Sequence, residues 1–305
     1  MFVRILGSAA GGGFPQWNCN CANCRGVREG KPGLSARTQS SIAVSKDGID
    51  WVLFNASPDI LTQLKQNPCL QPARGLRDTG IRGIILVDAQ IDHTTGLLML
   101  REGSRPLPIW CTDQVHEDLT QGNPLFNVLS HYCTVDWHRI VPSETERFSI
   151  PGVDGLDFLC VALKSAAPPY SPHRNNPHPG DNIGVVIREI ATGKSLFYSP
   201  GLVEIEPHLV PLMESADAVM VDGTFWTDTE MIDMGISKKR AREIGHNPQS
   251  GPGGMIEELN RFSKPRRILI HINNTNPILD EHSPERAELT RHGIEVSYDG
   301  MDITL

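Results

Sequence analysis

One order of apolar runs occurs twice along this chain and leaves few folds open. In the first half F-V-R-I-L, S-S-I-A-V-S and I-D-W-V-L-F-N-A read as strands, the last two forming a hairpin about the turn K-D-G. A short helix, D-I-L-T-Q-L-K, leads to the strand I-R-G-I-I-L-V-D, a helix from about Thr94, the strand L-P-I-W-C, and a helix through Val115 to Leu119. The second half repeats the plan. Hairpin-like pairs at F-S-I-P-G-V-D-G-L-D-F-L-C-V-A and I-G-V-V-I-R-E-I-A-T-G-K-S-L-F-Y-S precede the strands A-V-M-V-D and R-I-L-I-H-I, which helices separate. Strand runs followed by strand and helix in alternation, twice over, predict an α/β (α+β) chain built as an αββα sandwich, two mixed sheets packed face to face with helices outside. No Pro/Gly/Ser linker divides the chain, so a single domain over residues 1–305 is expected. The segment H-R-N-N-P-H-P-G-D-N, His173 to Asn182, reads as a loop of the kind that carries function.

Charge narrows the partners. There are 28 Lys and Arg against 36 Asp and Glu, a formal balance of −8, and no basic stripe interleaved with aromatics, which disfavours nucleic acid. The basic cluster K-K-R-A-R, Lys238 to Arg242, is expected to be a solvated helix face, and Arg37 a surface residue. No apolar run is long enough to span a bilayer, and the apolar core of the first ten residues is too short for a signal peptide, so a cytoplasmic protein with no membrane partner is expected. Seven cysteines, an odd number with three of them clustered, suit a reduced compartment and a metal site better than a disulfide framework. Cys69, Cys111, Cys133 and Cys160 are expected to be inert packing residues.

Two stretches carry metal chemistry. W-N-C-N-C-A-N-C places Cys19, Cys21 and Cys24 as C-x-C-x-x-C, a loop of about residues 17–26 in which three thiolates can reach one soft ion. The competing reading is three free buried thiols, and no fourth ligand is evident locally. V-D-A-Q-I-D-H-T-T-G crowds Asp88, Gln90, Asp92 and His93 at the end of a strand, where ligands collect in open α/β sheets. The competing reading there is an aspartate capping the next helix beside an incidental histidine. His271 closes the strand R-I-L-I-H-I and His178 precedes N-I-G-V-V-I; a lone histidine in such a place is more often a hydrogen-bonded structural residue.

The motifs L-G-S-A-A-G-G-G-F-P-Q-W-N-C-N-C-A-N-C, D-A-Q-I-D-H, H-P-G-D-N-I-G-V-V-I, V-D-G-T-F-W, G-H-N-P and L-I-H-I-N-N-T-N-P stand in the order seen in the metallo-β-lactamase superfamily. Over essentially its whole length the chain resembles the members that serve the biosynthesis of pyrroloquinoline quinone (PQQ). The superfamily pattern H-x-H-x-D-H falls on Asp88 to His93, so Asp92 and His93 match, while Asp88 and Gln90 replace two histidines and are weaker candidates. His178 resembles a further metal histidine and is likewise a weaker candidate, and His271 matches the final one. The bridging aspartate should fall near Tyr198 to Gly201, where there is no acid. Cys19, Cys21 and Cys24 resemble the structural zinc loop of the related cyclic phosphodiesterases, whose fourth ligand, a histidine, would be Asn274 here.

What the resemblance leaves of the binuclear site is His93, His271 and Asp92. Two imidazoles and one carboxylate with open positions are what non-haem iron(II) uses to hold oxygen and substrate together. The resemblance therefore implies an iron-dependent hydroxylase, with molecular oxygen as co-substrate, acting on the tyrosine ring of a small Glu-Tyr-derived intermediate cut from a precursor peptide. Asp222 and His246 match a His-Asp pair and are implied to move a proton or hydrogen-bond the substrate. The alternatives are a carrier of PQQ or its precursor, and a zinc-dependent hydrolase of the phosphodiesterase type. Other PQQ-pathway proteins are the implied partners.

Overall fold

The computed structural model describes residues 1–103 and 105–305. Its strands are β1 (Phe2–Gly7), β2 (Ser41–Ser45), β3 (Trp51–Phe54), β4 (Ile81–Ile85), β5 (Leu107–Thr112), β6 (Val135–Ile140), β7 (Leu156–Ala162), β8 (Ile183–Glu189), β9 (Ser195–Ser199), β10 (Ala218–Asp222), β11 (Arg266–Ile270), β12 (Ile294–Val296) and β13 (Asp302–Thr304). The chain divides into two compact units, Met1–Leu6 with Ser41–Ser195 and Gly300–Leu305, and Gly7–Ser40 with Leu196–Asp299.

In the first unit seven strands pair in the order β13-β1-β2-β3-β4-β5-β6. The hairpin expected about K-D-G is β2 and β3, antiparallel, with Ile42 opposite Phe54 and Ser45 opposite Trp51. Asp47 Oδ1 builds its turn by accepting the Ile49 and Asp50 N–H groups at 2.8 and 3.0 Å. Strands β3 to β6 run parallel. Parallel strands need cover on both faces, and W-V-L-F is buried at every position. Leu53, Ile84, Ile109 and Val115 form part of the core of this unit.

The segment after β4 departs from expectation in a useful way. The strand stops at Ile85, three residues short of Asp88, because Val87 N–H is taken by the side chain of Asn55 at 3.1 Å. Asn55 sits in the left-handed region at φ 60°, which asparagine tolerates. The helix expected from about Thr94 begins at Ile91, runs to Thr94, and tightens into a 3-10 turn, Thr95–Leu100. Gly96 permits this: its N–H donates to Ala56 O at 2.9 Å, and a Cβ there would collide with the Ser57 carbonyl. Strands β7 and β8 are antiparallel, Leu156 opposite Glu189, and 163–182 is the long loop between them. The pairing expected within F-S-I-P-G-V-D-G-L-D-F is reduced to one bridge, Phe148 with Phe158.

In the second unit β9, β10, β11 and β12 are parallel neighbours. Asp222 lies beside Ile270, so Asp222 and His271 stand at the carboxyl ends of adjacent strands. The N-terminal loop is stitched to this edge by Ala10 N–H on Ile272 O at 2.9 Å. Arg37 is not the surface residue expected: it is buried, and its guanidinium donates to Ser297 O. Asp299 ties the same loop down by accepting from Ser8 and Thr38. The cluster Lys238 to Arg242 is mainly exposed, in turns that lead into the 3-10 helix Arg242–Ile244 rather than on one helix face. Arg240 is drawn there by Asp228, 3.0 Å from its guanidinium, and its N–H is held by Glu243. Cys111, Cys133 and Cys160 are buried as expected, whereas Cys69 is exposed on a one-turn helix, Pro68–Leu70. Among the described residues no helix is long and apolar enough to cross a membrane.

Candidate metal and proton-transfer sites

In the first unit the turn after β4 gathers Asp88, Asp92 and His93. His93 is nearly fully buried, and its Nδ1 lies 2.7 and 2.9 Å from the two oxygens of Asp88. Asp88 Oδ1 also accepts Gln90 N–H at 2.9 Å, so the carboxylate is locked where it stands. With Nδ1–H donated to Asp88, the lone pair of the neutral ring is on Nε2, which points toward Asp92 Oδ2 at 3.7 Å. Burial opposes charge on this ring, but the Asp88 and Asp92 carboxylates and the Asp88 hydrogen bond outweigh it and raise His93 to about 9. The main chain of Gln90 caps the short helix, its carbonyl accepting His93 N–H and Thr94 Oγ1. His178 is in the loop 163–182, its Nε2 3.0 Å from Asn176 Nδ2 and its ring stacked on His173.

In the second unit Asp222, His246 and His271 come together, with potential ligand atoms all within 4.8 Å of one another. Asp222 is fully buried and its carboxylate is saturated. Oδ2 lies 2.8 Å from His246 Nδ1 and accepts Leu202 N–H, while Oδ1 accepts the Thr224 N–H at 2.9 Å and its hydroxyl at 2.6 Å. Thr224 is a residue that sequence reasoning missed. Its Oγ1 lies 3.1 Å from His246 Nδ1 and 2.9 Å from His271 Nδ1, so it joins all three side chains. The signal was present in V-D-G-T, where a residue two after an aspartate closes an Asx-type turn. His271 adopts φ 62°, a strained setting for a histidine, and its ring stacks on that of His246 with centroids 5.3 Å apart.

The same unit holds Cys19, Cys21 and Cys24 as a cluster of three potential ligands. The side-chain Nδ2 of Asn274 lies 3.0, 3.8 and 3.4 Å from their sulfurs. A zinc ion with sulfur at about 2.3 Å and a light atom at about 2.0 Å gives a tetrahedral edge of roughly 3.5 Å between them. These distances suit a fourth ligand position at the tip of Asn274, where a half-turn of the amide would present Oδ1. Burial opposes ionisation of Cys19, yet the Cys21 N–H and the neighbouring side chains, Asn274 among them, lower it; burial pushes Cys24 up to about 11. A divalent cation bound there would supply the charge that lets all three thiols ionise together.

A mixed sheet whose parallel strands end in D-A-Q-I-D-H, and a buried Asp222-His246 pair at another strand end, define a protein of the metallo-β-lactamase fold. Residues 50–272 match the Beta-lactamase superfamily domain. The chain is 66% identical over 305 residues to coenzyme PQQ synthesis protein B of Methylobacillus flagellatus, and 62% identical over 309 residues to that of Nitrosococcus oceani, covering 100% of both chains in each case. It belongs to the coenzyme PQQ synthesis protein B family. The crystal structure of Zn(2+)-bound PqqB from Methylobacterium extorquens superposes with a TM-score of 0.90 at 37% identity, covering 100% of both chains. A diphosphatase from the PhnP family shares the fold alone, with a TM-score of 0.67 at 18% identity over 99% of this chain and 96% of its own. The fold expected from the order of apolar runs, two mixed sheets with flanking helices, is thereby established.

Proposed function

We propose that the chain acts in PQQ biosynthesis as a mononuclear iron(II)-dependent hydroxylase of the tyrosine ring in a small Glu-Tyr-derived intermediate. Asp92, His93 and His271 are the proposed metal donors, and the zinc bound in the crystal structure of the Methylobacterium extorquens relative supports a divalent ion in this family. The observation that carries the reading is the Asp88 carboxylate on His93 Nδ1. A carboxylate behind a histidine is how metal sites aim the other ring nitrogen, and it makes Asp88 a residue that orients His93 rather than a ligand. Gln90 acts through its main chain, and His178 belongs to its loop.

When bound, iron(II) would supply the activation of oxygen, one atom of which enters the ring while the other leaves as water with two electrons from an added reductant. The protein's own part is to hold the ring and move its proton. Asp222 fixes Nδ1–H of His246, so Nε2 carries the lone pair that accepts the proton lost from the hydroxylated ring carbon as aromaticity returns. Thr224 keeps His246 and His271 in register while this happens. Cys19, Cys21 and Cys24 are proposed to hold a structural zinc, with Asn274 Oδ1 as the fourth donor.

The test is to add iron(II) to the protein without air, supply the tyrosine-derived intermediate and a two-electron reductant such as ascorbate, then admit labelled dioxygen and follow product mass. Incorporation of label into the ring supports the reading. Turnover without oxygen would establish the hydrolase instead, and tight binding of PQQ or its precursor with no turnover would establish the carrier.

A further inference from the structure

The loop 163–182 contains a buried charge arrangement that neither metal site uses. His173 is 8% exposed, and the carboxylates it faces, Asp118 and Asp181, are fully buried. His173 Nδ1 lies 3.1 Å from Asp181 Oδ1, and its Nε2 lies 3.5 Å from Asp118 Oδ1 and 3.9 Å from Glu117 Oε2. Both ring nitrogens and Asp181 Oδ1 are buried without an aligned hydrogen bond. A buried carboxylate costs several kcal/mol unless it is compensated. A neutral imidazole has one N–H and can serve only one of the two. Burial pushes both carboxyls up.

The arrangement adds to a link between two segments that the Thr112 hydroxyl also joins, donating to Gly180 O at 2.7 Å. Asp118 opens a π-helical turn, Asp118–Gly122, at the end of the helix Asp113–Glu117 that follows β5. Asp181 is in the loop, where its Oδ2 accepts His178 N–H at 2.8 Å. The rings of His173 and His178 stack, centroids 4.8 Å apart and 14° from parallel. The loop in turn reaches the metal-site turn: the Tyr170 hydroxyl donates to Ala89 O, and Ile183 N–H donates to Val87 O at 2.9 Å.

We propose that His173, clamped between Asp118 and Asp181, is a positioning residue that holds His178 and the loop 170–182 against the turn carrying Asp88, Asp92 and His93. The metal readout below rests on the proposed role of His93; the exchange readout does not.

The test is amide hydrogen exchange on the full-length zinc-loaded chain, for wild type, His173→Leu, His173→Gln and the triple variant His173→Leu/Asp118→Asn/Asp181→Asn, with iron(II) affinity measured alongside. His173→Leu is expected to speed exchange on the order of tenfold or more in peptides covering 170–182 and 87–93, with β5 and β10 unchanged. Iron(II) affinity is expected to fall about 10- to 100-fold, as for loss of an outer supporting group. His173→Gln, which keeps one donor and one acceptor, should recover part of the protection. The triple variant removes the stranded charge, so it should regain thermal stability while its loop stays unprotected, and it carries the test if His173→Leu does not fold. Unchanged exchange over 170–182 in the triple variant, or faster exchange spread evenly over the unit, overturns the proposal. Wild-type protein that binds no iron(II) would sink the ligand assignment while the exchange result still decides the role of His173.

Discussion

At His93 the informative bond is the one on the side away from a metal. Asp88 holds Nδ1 with both oxygens, so replacing it by asparagine removes charge and certainty of tautomer while keeping shape. Asp88→Asn is expected to weaken metal binding about 10- to 100-fold with little change in circular dichroism. His93→Ala should abolish turnover with the fold retained; full turnover in that variant would refute its role as a ligand. At Asp222 the argument concerns a proton. An asparagine there can present its amide N–H to His246 Nδ1, which moves the ring proton to Nε2 and leaves no base facing the substrate. Asp222→Asn is expected to cost on the order of 10²- to 10⁴-fold in turnover, with substrate affinity nearly unchanged. A variant with wild-type turnover would remove the pair from the mechanism.

Two elements of the second unit make stability predictions of different kinds. The Cys19–Cys24 segment is proposed to contribute through a bound zinc, so Cys21→Ser should lower both melting temperature and zinc content, and Asn274→Ala should lower zinc affinity. Unchanged melting together with unchanged zinc would refute the structural site. The helix Glu230–Asp233 contributes through a buried acid. Glu230 accepts from Trp226 N–H and from the Thr275 hydroxyl beside Asn274, and burial, against those bonds, raises it to about 7. A carboxyl that keeps its proton longer folded than unfolded destabilises the fold as pH rises. The cost is absent below about 4.5, grows between 4.5 and 7, and is full above, amounting to about 3 kcal/mol. Glu230→Gln should therefore gain on wild type across that range in urea melts at successive pH values; parallel profiles would show that the acid is not strained.

For the whole molecule, legibility followed range. The K-D-G hairpin, the parallel strands and the C-x-C-x-x-C loop were legible because alternation, turn chemistry and ligand spacing act over a few residues. Asp92 and His93 were legible as a cluster, though they stand in the short helix Ile91–Thr94 beyond the strand end, and His271 was legible as a strand-end histidine. The burial of Arg37 was not, because its partners Ser8 and Ser297 stand 29 and 260 residues away. The clamp proposed for His173 was hidden in part for the same reason, because Asp118 comes from a π-helical turn far back in the chain, although Asp181 stands in the same loop. Thr224 could have been found locally, and was missed because a threonine in a turn is ordinary until the histidines on either side of it are known.

The central claim is that Asp92, His93 and His271 bind one redox ion in place of a two-metal centre. It is tested most directly by anaerobic iron(II) titration of the zinc-loaded protein, following heat and bound iron in wild type, His93→Ala and His271→Ala. One iron per chain in wild type, lost in both variants, is the predicted result. Two per chain, or one that survives both substitutions, would contradict it.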